Sequence, residues 1–430
     1  MTKRTNAGRT YLATLVDGGG TVAPELGAVS RLTTRGHRVV VLAEDTMVAE
    51  VRAAGGEFVP WSQAPNRASR RPEDDPYRDW ECKNPKQLFD RLMETQFVGP
   101  AAAYAADTSR AVAEHRPEAV ISSIFAVGAM VAAQGERLPL AVLLPNVYPL
   151  PTAGLPPFAS GLAPARTPFG RAAHAVLRGL AERMFDQKLP DLNALRASYA
   201  LPPLSHFWDQ VRAADQQLVL TSRVFDLPAT RPDNVRYVGA VLDDPLWAKP
   251  WAPPAGEEPL VLVGMSSTYM EQQSSLQAVV DALGTLPVRG LVTTGPALEP
   301  NVITAPANVM VLASAPHGQV LKHAAAVVTH GGHGTVMKTL AAGVPMVVMP
   351  HGRDQKDNGV RVRTHGAGLV LPRHASSRRI ATAVQRVLDD SSFTENAQRL
   401  GAVVYRDART DDLVTALEDL PRHARYHQRA

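Results

Sequence analysis

Residues 327 to 358 read VVTHGGHGTVMKTLAAGVPMVVMPHGRDQKDN, and the side chains able to do chemistry stand at the ends of two apolar runs. The first run ends at His330 and passes through Gly331, Gly332, His333 and Gly334 to Thr335, where a helix-forming stretch begins. Such a strand-to-helix turn presents free backbone N–H groups and the positive end of a helix dipole, and glycine lets an anion come close. A diphosphate suits it, with the Thr335 hydroxyl and the His330 imidazole in reach of the same oxygens. The second run ends at Pro350 and is followed by His351, Asp354 and Gln355. A carboxylate beside an amide offers the acceptors and donor that a polyhydroxylated ring requires. Alone, Asp354 would as readily cap the helix that follows. The turn is neither a dinucleotide fingerprint nor a Walker A loop, since no G-x-G-x-x-G follows the first strand and no G-K-S/T occurs. His330 and His333 lack a third ligand at suitable spacing, so no metal is expected.

These turns need strands and helices to hold them, and the whole chain alternates between the two. RTYLATLV, RVVVLA, AVISSI, LAVLLP, VLTSRVF and VRYVGAV read as strands of a first half, with amphipathic helices such as VAPELGAVSRLTTRGH between them. LVLVG, VRGLVTT, NVMVLA, AAVVTH and PMVVMP repeat the pattern in a second half. Strands alternating with helices predict parallel sheets covered on both faces. The expectation is an α/β chain of two doubly wound, Rossmann-like domains facing a deep cleft. Residues 1–242 form the first, the proline-rich 243–259 the linker and 260–430 the second, with the last helix a candidate to pack back on the first domain. Residues 145–170 interrupt the alternation with prolines, and a loop this long inside a domain is more often functional than accidental.

Composition narrows the function classes. The 430 residues are 45% hydrophobic and 20% charged, with 45 basic against 41 acidic residues spread along the chain. That weak, unclustered excess argues against nucleic acid as a partner. The single cysteine, Cys82, excludes a disulfide framework and fits a reducing cytoplasm. No run approaches the length of a membrane span, and the N-terminal apolar run is too short for a signal peptide, so a soluble cytoplasmic protein without stable membrane anchoring is expected.

HGGHGT, AAGVP and DQ, in this order and spacing, resemble the donor-binding signature of the family-one glycosyltransferases of the GT-B fold, as found in actinobacterial natural-product pathways. The resemblance extends along the chain, through the opening strand–GGG–helix, RGHRVVVL and APHGQVLKHAAAVVTH. It implies that His330, Gly331, Gly332, His333, Gly334 and Thr335 form the diphosphate turn, and that Asp354 and Gln355 hold the sugar hydroxyls. Pro316 and His317 stand where the family's loop cradles the nucleobase, and Ser266, Ser267 and Thr268 match a phosphate-proximal segment that would otherwise be a plain helix cap. Ser123, Asn146 and His351 fall on the acceptor side. Two departures stand out. Lys338 replaces the glutamate that many relatives keep for the ribose, which leaves UDP and dTDP donors both open. Thr21 and Ser123 stand near the positions where relatives keep a proton-abstracting histidine and its supporting aspartate. Threonine is no general base near neutral pH. Asp17, at the end of the same strand, is the nearest alternative, though pinning its own turn is its more ordinary role. An acceptor acidic enough to ionise unaided is the remaining route.

The resemblance therefore implies an inverting, metal-independent transferase, moving a sugar from a UDP or dTDP donor to a small, largely apolar acceptor. The nucleotide sugar is a co-substrate and no resident cofactor is expected. A catalytically silent GT-B binding protein, or a GT-B epimerase or phosphorylase, is the alternative. The sugar, the acceptor and the oligomeric state are not encoded in any motif.

Overall fold

The computed structural model describes residues 8–244, 248–266, 268–296 and 298–427, the side chains of 421–427 excepted. Sheet A contains β1 (Thr10–Thr14), β2 (Arg38–Ala43), β3 (Glu57–Pro60), β4 (Ala119–Ser123), β5 (Leu140–Leu144), β6 (Gln216–Val219) and β7 (Val235–Tyr237). Its order is β3-β2-β1-β4-β5-β6-β7, parallel throughout. Sheet B contains β8 (Leu260–Gly264), β9 (Arg289–Thr293), β10 (Val309–Leu312), β11 (Ala324–Thr329), β12 (Met346–Val348) and β13 (Gly368–Val370). Its order is β10-β9-β8-β11-β12-β13, also parallel. Unbroken apolar runs such as Leu140–Leu144 and Leu260–Gly264 are buried along their whole length, as strands covered on both faces must be.

Each sheet starts near its middle, winds outward and then returns to the other side of its first strand. The strand order reverses between β1 and β4 in sheet A, and between β8 and β11 in sheet B. Helices on either side of such a reversal diverge and leave a crevice at the carboxyl ends of the strands. Each half therefore carries one crevice, and the residues of both line a single cleft.

Buried ion pairs tie the halves together. Asp226, just after β6, receives Arg361 of the second half (2.7 Å), Arg231 (2.8 Å) and the Tyr237 hydroxyl (2.6 Å). Asp79 receives Arg353 at 2.8 and 3.2 Å. The C-terminal helix, Asp412–His427, returns to sheet A and buries Leu413, Val414, Leu417 and Leu420 with Tyr11, Leu15 and Val29. His37 meets Glu418 of that helix at 3.1 Å, a structural role for this histidine.

Three elements depart from the sequence expectation. β6 lies at Gln216–Val219 rather than over VLTSRVF, because its glutamines interrupt the apolar pattern. Gln217 is buried all the same, bonded to the Tyr148 hydroxyl (3.1 Å) and to Asn234 (3.1 Å). β13 is a three-residue strand too short to show a period. Residues 145–167 run as irregular chain, but Pro168 opens the helix Pro168–Asp186, whose first turn is capped by Thr167 accepting from the Gly170 N–H (3.1 Å).

Candidate active site

At the sheet B reversal, β11 ends at Thr329 and the helix His333–Ala341 begins four residues later. Two glycines are required in between. Gly331 has φ +91°, and a Cβ there would lie 2.6 Å from Val348. Gly332 has φ −59°, which any residue adopts, but its Cβ would lie 2.4 Å from His330 Nε2, so the imidazole occupies the space that a side chain would fill. A Cβ on Gly334 would meet nothing within 4 Å. His330 is buried against the end of β8, its Nδ1 3.4 Å from the Gly264 carbonyl and from the Thr329 hydroxyl. Burial first, then the neighbouring His351, push its pKa down to about 3, so the free site holds a neutral imidazole. His333 turns the other way, 6.1 Å from the Phe225 ring at the junction of the halves. Burial lowers its pKa too, with Asp354 and Asn358 opposing.

His317 reaches over the end of β8 to the Thr293 hydroxyl (3.0 Å), and a Cβ on Gly264 would collide with its ring at 2.8 Å. Burial, then Lys338, lower its pKa to about 4. Pro316 precedes the short helix that His317 opens. Lys338 is paired with Asp244 at 2.9 Å, and Asp244 also accepts from the Gly318 N–H (3.0 Å). Position 338 thus faces a carboxylate from position 244, on a segment that carried no motif. Thr268 does not cap a helix, because the next one begins at Gln273. Its hydroxyl meets Ser266 at 3.0 Å and accepts from Arg353 at 3.1 Å. Ser267 lies outside the described residues.

Beyond β12, the structure divides the pair Asp354 and Gln355. Asp354 occupies the N-cap position of the helix Gln355–Thr364, yet its side chain makes no capping bond. It accepts from Asn358 Nδ2 (2.6 Å), and Asp354 lines the cleft. Gln355 is buried, and its carbonyl oxygen accepts from the N–H groups of His351 (2.7 Å) and Gly352 (3.1 Å). Its amide nitrogen faces the Met270 sulfur (3.3 Å). Gln355 lines the cleft beside Asp354 and also shapes the turn, because burial obliges its oxygen to satisfy two backbone donors. His351 donates from Nδ1 to the Met349 carbonyl (2.8 Å), and burial lowers its pKa to about 4. Arg353, which no motif singled out, has a left-handed φ of +53° and lines the cleft between Asp79 and Thr268.

The other wall of the cleft, which encloses about 1110 Å³, comes from sheet A. Phe89, Phe97, Phe125, Tyr148, Phe185 and Trp208 form an aromatic chamber there. Most of these rings meet edge to face or tilted, for example Phe97 on Trp208 at 5.7 Å. Asn146 lines this wall, its Oδ1 accepting from the Val147 N–H (2.8 Å). The proline-rich segment crosses to the opposite half, where the Asp357 carboxylate accepts from the N–H groups of Ala159 (2.7 Å) and Gly161 (2.8 Å).

At the sheet A reversal the candidate base Asp17 is overturned. It is 5% exposed and its carboxylate is held by Arg70 (2.6 Å), Thr46 (2.9 Å) and the Gly19 N–H (3.0 Å), with Arg67 at 3.5 Å. Burial would raise its pKa, but the two guanidinium groups and these bonds outweigh it and hold the carboxyl below its usual value. A carboxylate so stabilised is a poor proton acceptor. Thr21 lines the cleft at the head of the helix Val22–Thr34. Ser123, at the end of β4, is buried beneath it and does not line the cleft. One turn into the same helix lies a carboxyl that the sequence reading passed over, Glu25, 0% exposed. Its only signal was an acid among the apolar positions of an otherwise amphipathic helix.

Two parallel doubly wound sheets facing one cleft define the GT-B class, and the chain is a glycosyltransferase of that class, of the natural-product type. Residues 277–420 match the family described as Erythromycin biosynthesis protein CIII-like, C-terminal domain. The chain is 27% identical over 425 residues to 4'-demethylrebeccamycin synthase of Lentzea aerocolonigenes, covering 95% of this chain and 100% of that one. It is 28% identical over 402 residues to demethyllactenocin mycarosyltransferase of Streptomyces fradiae, covering 90% of this chain and 81% of that one. CalG4, the calicheamicin glycosyltransferase, shares the fold with a TM-score of 0.77 at 23% identity, over 97% of this chain and 98% of that one. Among the described residues no helix is long and apolar enough to cross a membrane, and no group of three or more His, Cys, Asp or Glu could hold a metal ion.

Proposed function

We propose that this chain transfers a sugar from a nucleoside diphosphate donor, UDP- or dTDP-linked, to a small and largely apolar natural-product acceptor in the cytoplasm, with inversion at the anomeric carbon. One observation carries the reading: the glycine turn of sheet B and the aromatic chamber of sheet A open into the same cleft. The diphosphate sits on the N-terminus of the helix His333–Ala341, where free N–H groups, the helix dipole and the Thr335 hydroxyl meet its charge. His330 contacts the same oxygens, and the diphosphate leaves stabilised by these preorganised donors. Asp354 accepts from the sugar hydroxyls, while Gln355 holds its turn. The nucleoside lies along Pro316, His317 and the Lys338–Asp244 pair. The acceptor stacks in the chamber of Phe97, Tyr148 and Trp208, with Asn146 and His351 at its rim. A single in-line displacement across the cleft inverts the anomeric centre. The donor is a co-substrate, and neither a metal nor a resident cofactor is part of the reading.

The test is transfer itself. The purified protein is incubated with UDP-glucose, dTDP-glucose and dTDP-rhamnose against a mixed library of phenolic, polyketide and aliphatic alcohols, and products are read by mass spectrometry. Acceptors heavier by one hexose or deoxyhexose are expected, with the anomeric configuration opposite to the donor by NMR. Donor consumption without any glycosylated product, or retention of configuration, would contradict the proposal.

A further inference from the structure

The helix Pro168–Asp186 has 19 residues, and none of them is buried. An amphipathic helix of a globular domain ordinarily turns its apolar stripe to the core. Here the stripe turns outward. Phe169, Val176, Leu177, Leu180 and Met184 recur at the spacing of one helix face, with Phe169 85%, Val176 63% and Leu180 52% exposed. Single exposed apolar side chains are ordinary, but a continuous row of them over roughly 22 Å marks an interaction surface. The opposite face belongs to the site already described. Ala181 and Phe185 line the cleft, and the Phe185 ring lies 4.7 Å from Trp208 and 5.2 Å from Phe89 in the aromatic chamber. Met184, Leu88 and Phe158 belong to both surfaces, since each is exposed and also lines the cleft. The outward stripe therefore continues over the rim into the chamber.

The charges around the stripe are sorted by sign. Residues 145–181 contain no Asp or Glu. Both acids of the helix follow, and both are engaged: Glu182 meets Arg212 at 3.3 Å, while Asp186 holds His206 at 2.9 Å and accepts from the Phe207 N–H at 2.8 Å. Arg166, Arg171 and Arg183 are exposed and take part in no ion pair among the described residues. An apolar row edged by unpaired cations complements an anionic bilayer, where apolar side chains sink below the headgroups and guanidinium groups meet the phosphates. A second copy of the chain fits less well, because two such helices would set arginines against arginines with no unpaired acid on either to offset them.

We propose that this face rests on an anionic bilayer surface, the helix lying in the interfacial layer with the mouth of the chamber toward the lipid. The contact is peripheral and reversible, since one helix face buries a limited apolar area and no helix of the described residues is long and apolar enough to cross a membrane. Docking stands independently of the transfer reading. What it adds to catalysis rests on that reading: an apolar acceptor dissolved in the bilayer enters the chamber over the rim at Met184 without crossing water.

The test is flotation of the full chain with vesicles of phosphatidylcholine, alone or mixed equally with phosphatidylglycerol. The protein is expected to float with the mixed vesicles, to be released by salt and to ignore the neutral ones. Val176→Glu combined with Leu180→Glu should abolish flotation, and Arg171→Gln combined with Arg183→Gln should weaken it roughly thirtyfold. All four positions lie outside the cleft, so Tm and transfer to a water-soluble acceptor should stay as in the wild type. Transfer to an acceptor held in mixed vesicles should fall in both double variants, and undiminished transfer would overturn the delivery route. Failure of the wild type to float with the mixed vesicles would overturn the proposal, as would flotation that survives both double variants. A wild-type dimer that Val176→Glu with Leu180→Glu dissociates would assign the face to a second copy and overturn it as well. Absence of transfer to any acceptor would count against the transfer reading alone, because flotation reports docking without turnover.

Discussion

The two strand-order reversals face each other across one cleft, and they are built in opposite ways. At the β8–β11 reversal the polar groups belong largely to the backbone, glycines clear the approach, and buried histidines sit neutral with their pKa values pushed down to about 3 and 4. At the β1–β4 reversal the polar groups are side chains turned inward, and a lone carboxyl has its pKa pushed up to about 8. The first arrangement suits a guest that brings its own negative charge. The second suits a carboxyl that stays protonated near neutral pH. Burial drives both shifts, since it disfavours whichever form is charged.

The comparison can be broken most sharply through stability. The folded Glu25 carboxyl has a pKa of about 8 against 4.5 for the model value, so the native state binds the proton more tightly than the unfolded chain. Stability on this account is lost as pH climbs from about 4.5 to about 8, because the unfolded chain releases the proton first. Glu25→Gln escapes this loss. It should match the wild type at about pH 4.5 and exceed it by roughly 4 kcal/mol above pH 8, measured by urea denaturation across pH. No difference at pH 9 would remove the distinction drawn between the two reversals.

A comparison of facing sites also requires that the halves be held in place. Asp226 is buried between Arg361 and Arg231, and Asp226→Ala leaves two guanidinium groups buried without their counter-ion. A loss of about 3–5 kcal/mol is expected in the same denaturation assay. A loss under about 1 kcal/mol would mean that solvent reaches the pair.

Smaller changes separate the parts of the donor site. If the carboxylate bonds the sugar hydroxyls as proposed, Asp354→Ala should weaken a nucleotide sugar by about 1.5–3 kcal/mol and leave the bare nucleoside diphosphate nearly unchanged. Equal losses for both ligands would return Asp354 to a purely local role. The smallest effect is expected from Asp357→Ala. It releases the Ala159 and Gly161 N–H groups and should raise acceptor KM by about one hydrogen bond, several-fold, without changing donor affinity. An altered donor affinity would show that the proline-rich segment touches the nucleotide sugar instead.

The glycine turn at the β8–β11 reversal was legible in the sequence and the side-chain arrangement at the β1–β4 reversal was not, for a physical reason. His330, the glycines and Thr335 are consecutive, because a strand-to-helix turn concentrates its donors in one short stretch. β strands with unbroken apolar runs were equally visible, and both sheets were expected from them. The second task of Gln355 was hidden, because no spacing rule shows that its carbonyl oxygen is taken by the His351 and Gly352 N–H groups. Asp17 was recognised as a turn-pinning residue, but Arg67 and Arg70 come from a distant loop and no spacing rule reaches them. Asp244 and Lys338 are far apart in sequence and adjacent only in the fold. Glu25 escaped notice because an acid in an amphipathic helix is ordinarily solvated, and only the packing of β4 against that helix encloses it.

The division of labour between the reversals is tested most directly by calorimetric titration of UDP and dTDP into the wild type, His330→Ala and Thr21→Val. A hydrogen bond to a charged oxygen is worth about 1.5–3 kcal/mol, so His330→Ala should bind nucleotide some ten- to hundredfold more weakly. Thr21→Val should bind it within about twofold of the wild type, since Thr21 lies on the opposite wall. Unchanged affinity in His330→Ala, or equal losses in both variants, would contradict the assignment of the diphosphate to the β8–β11 reversal.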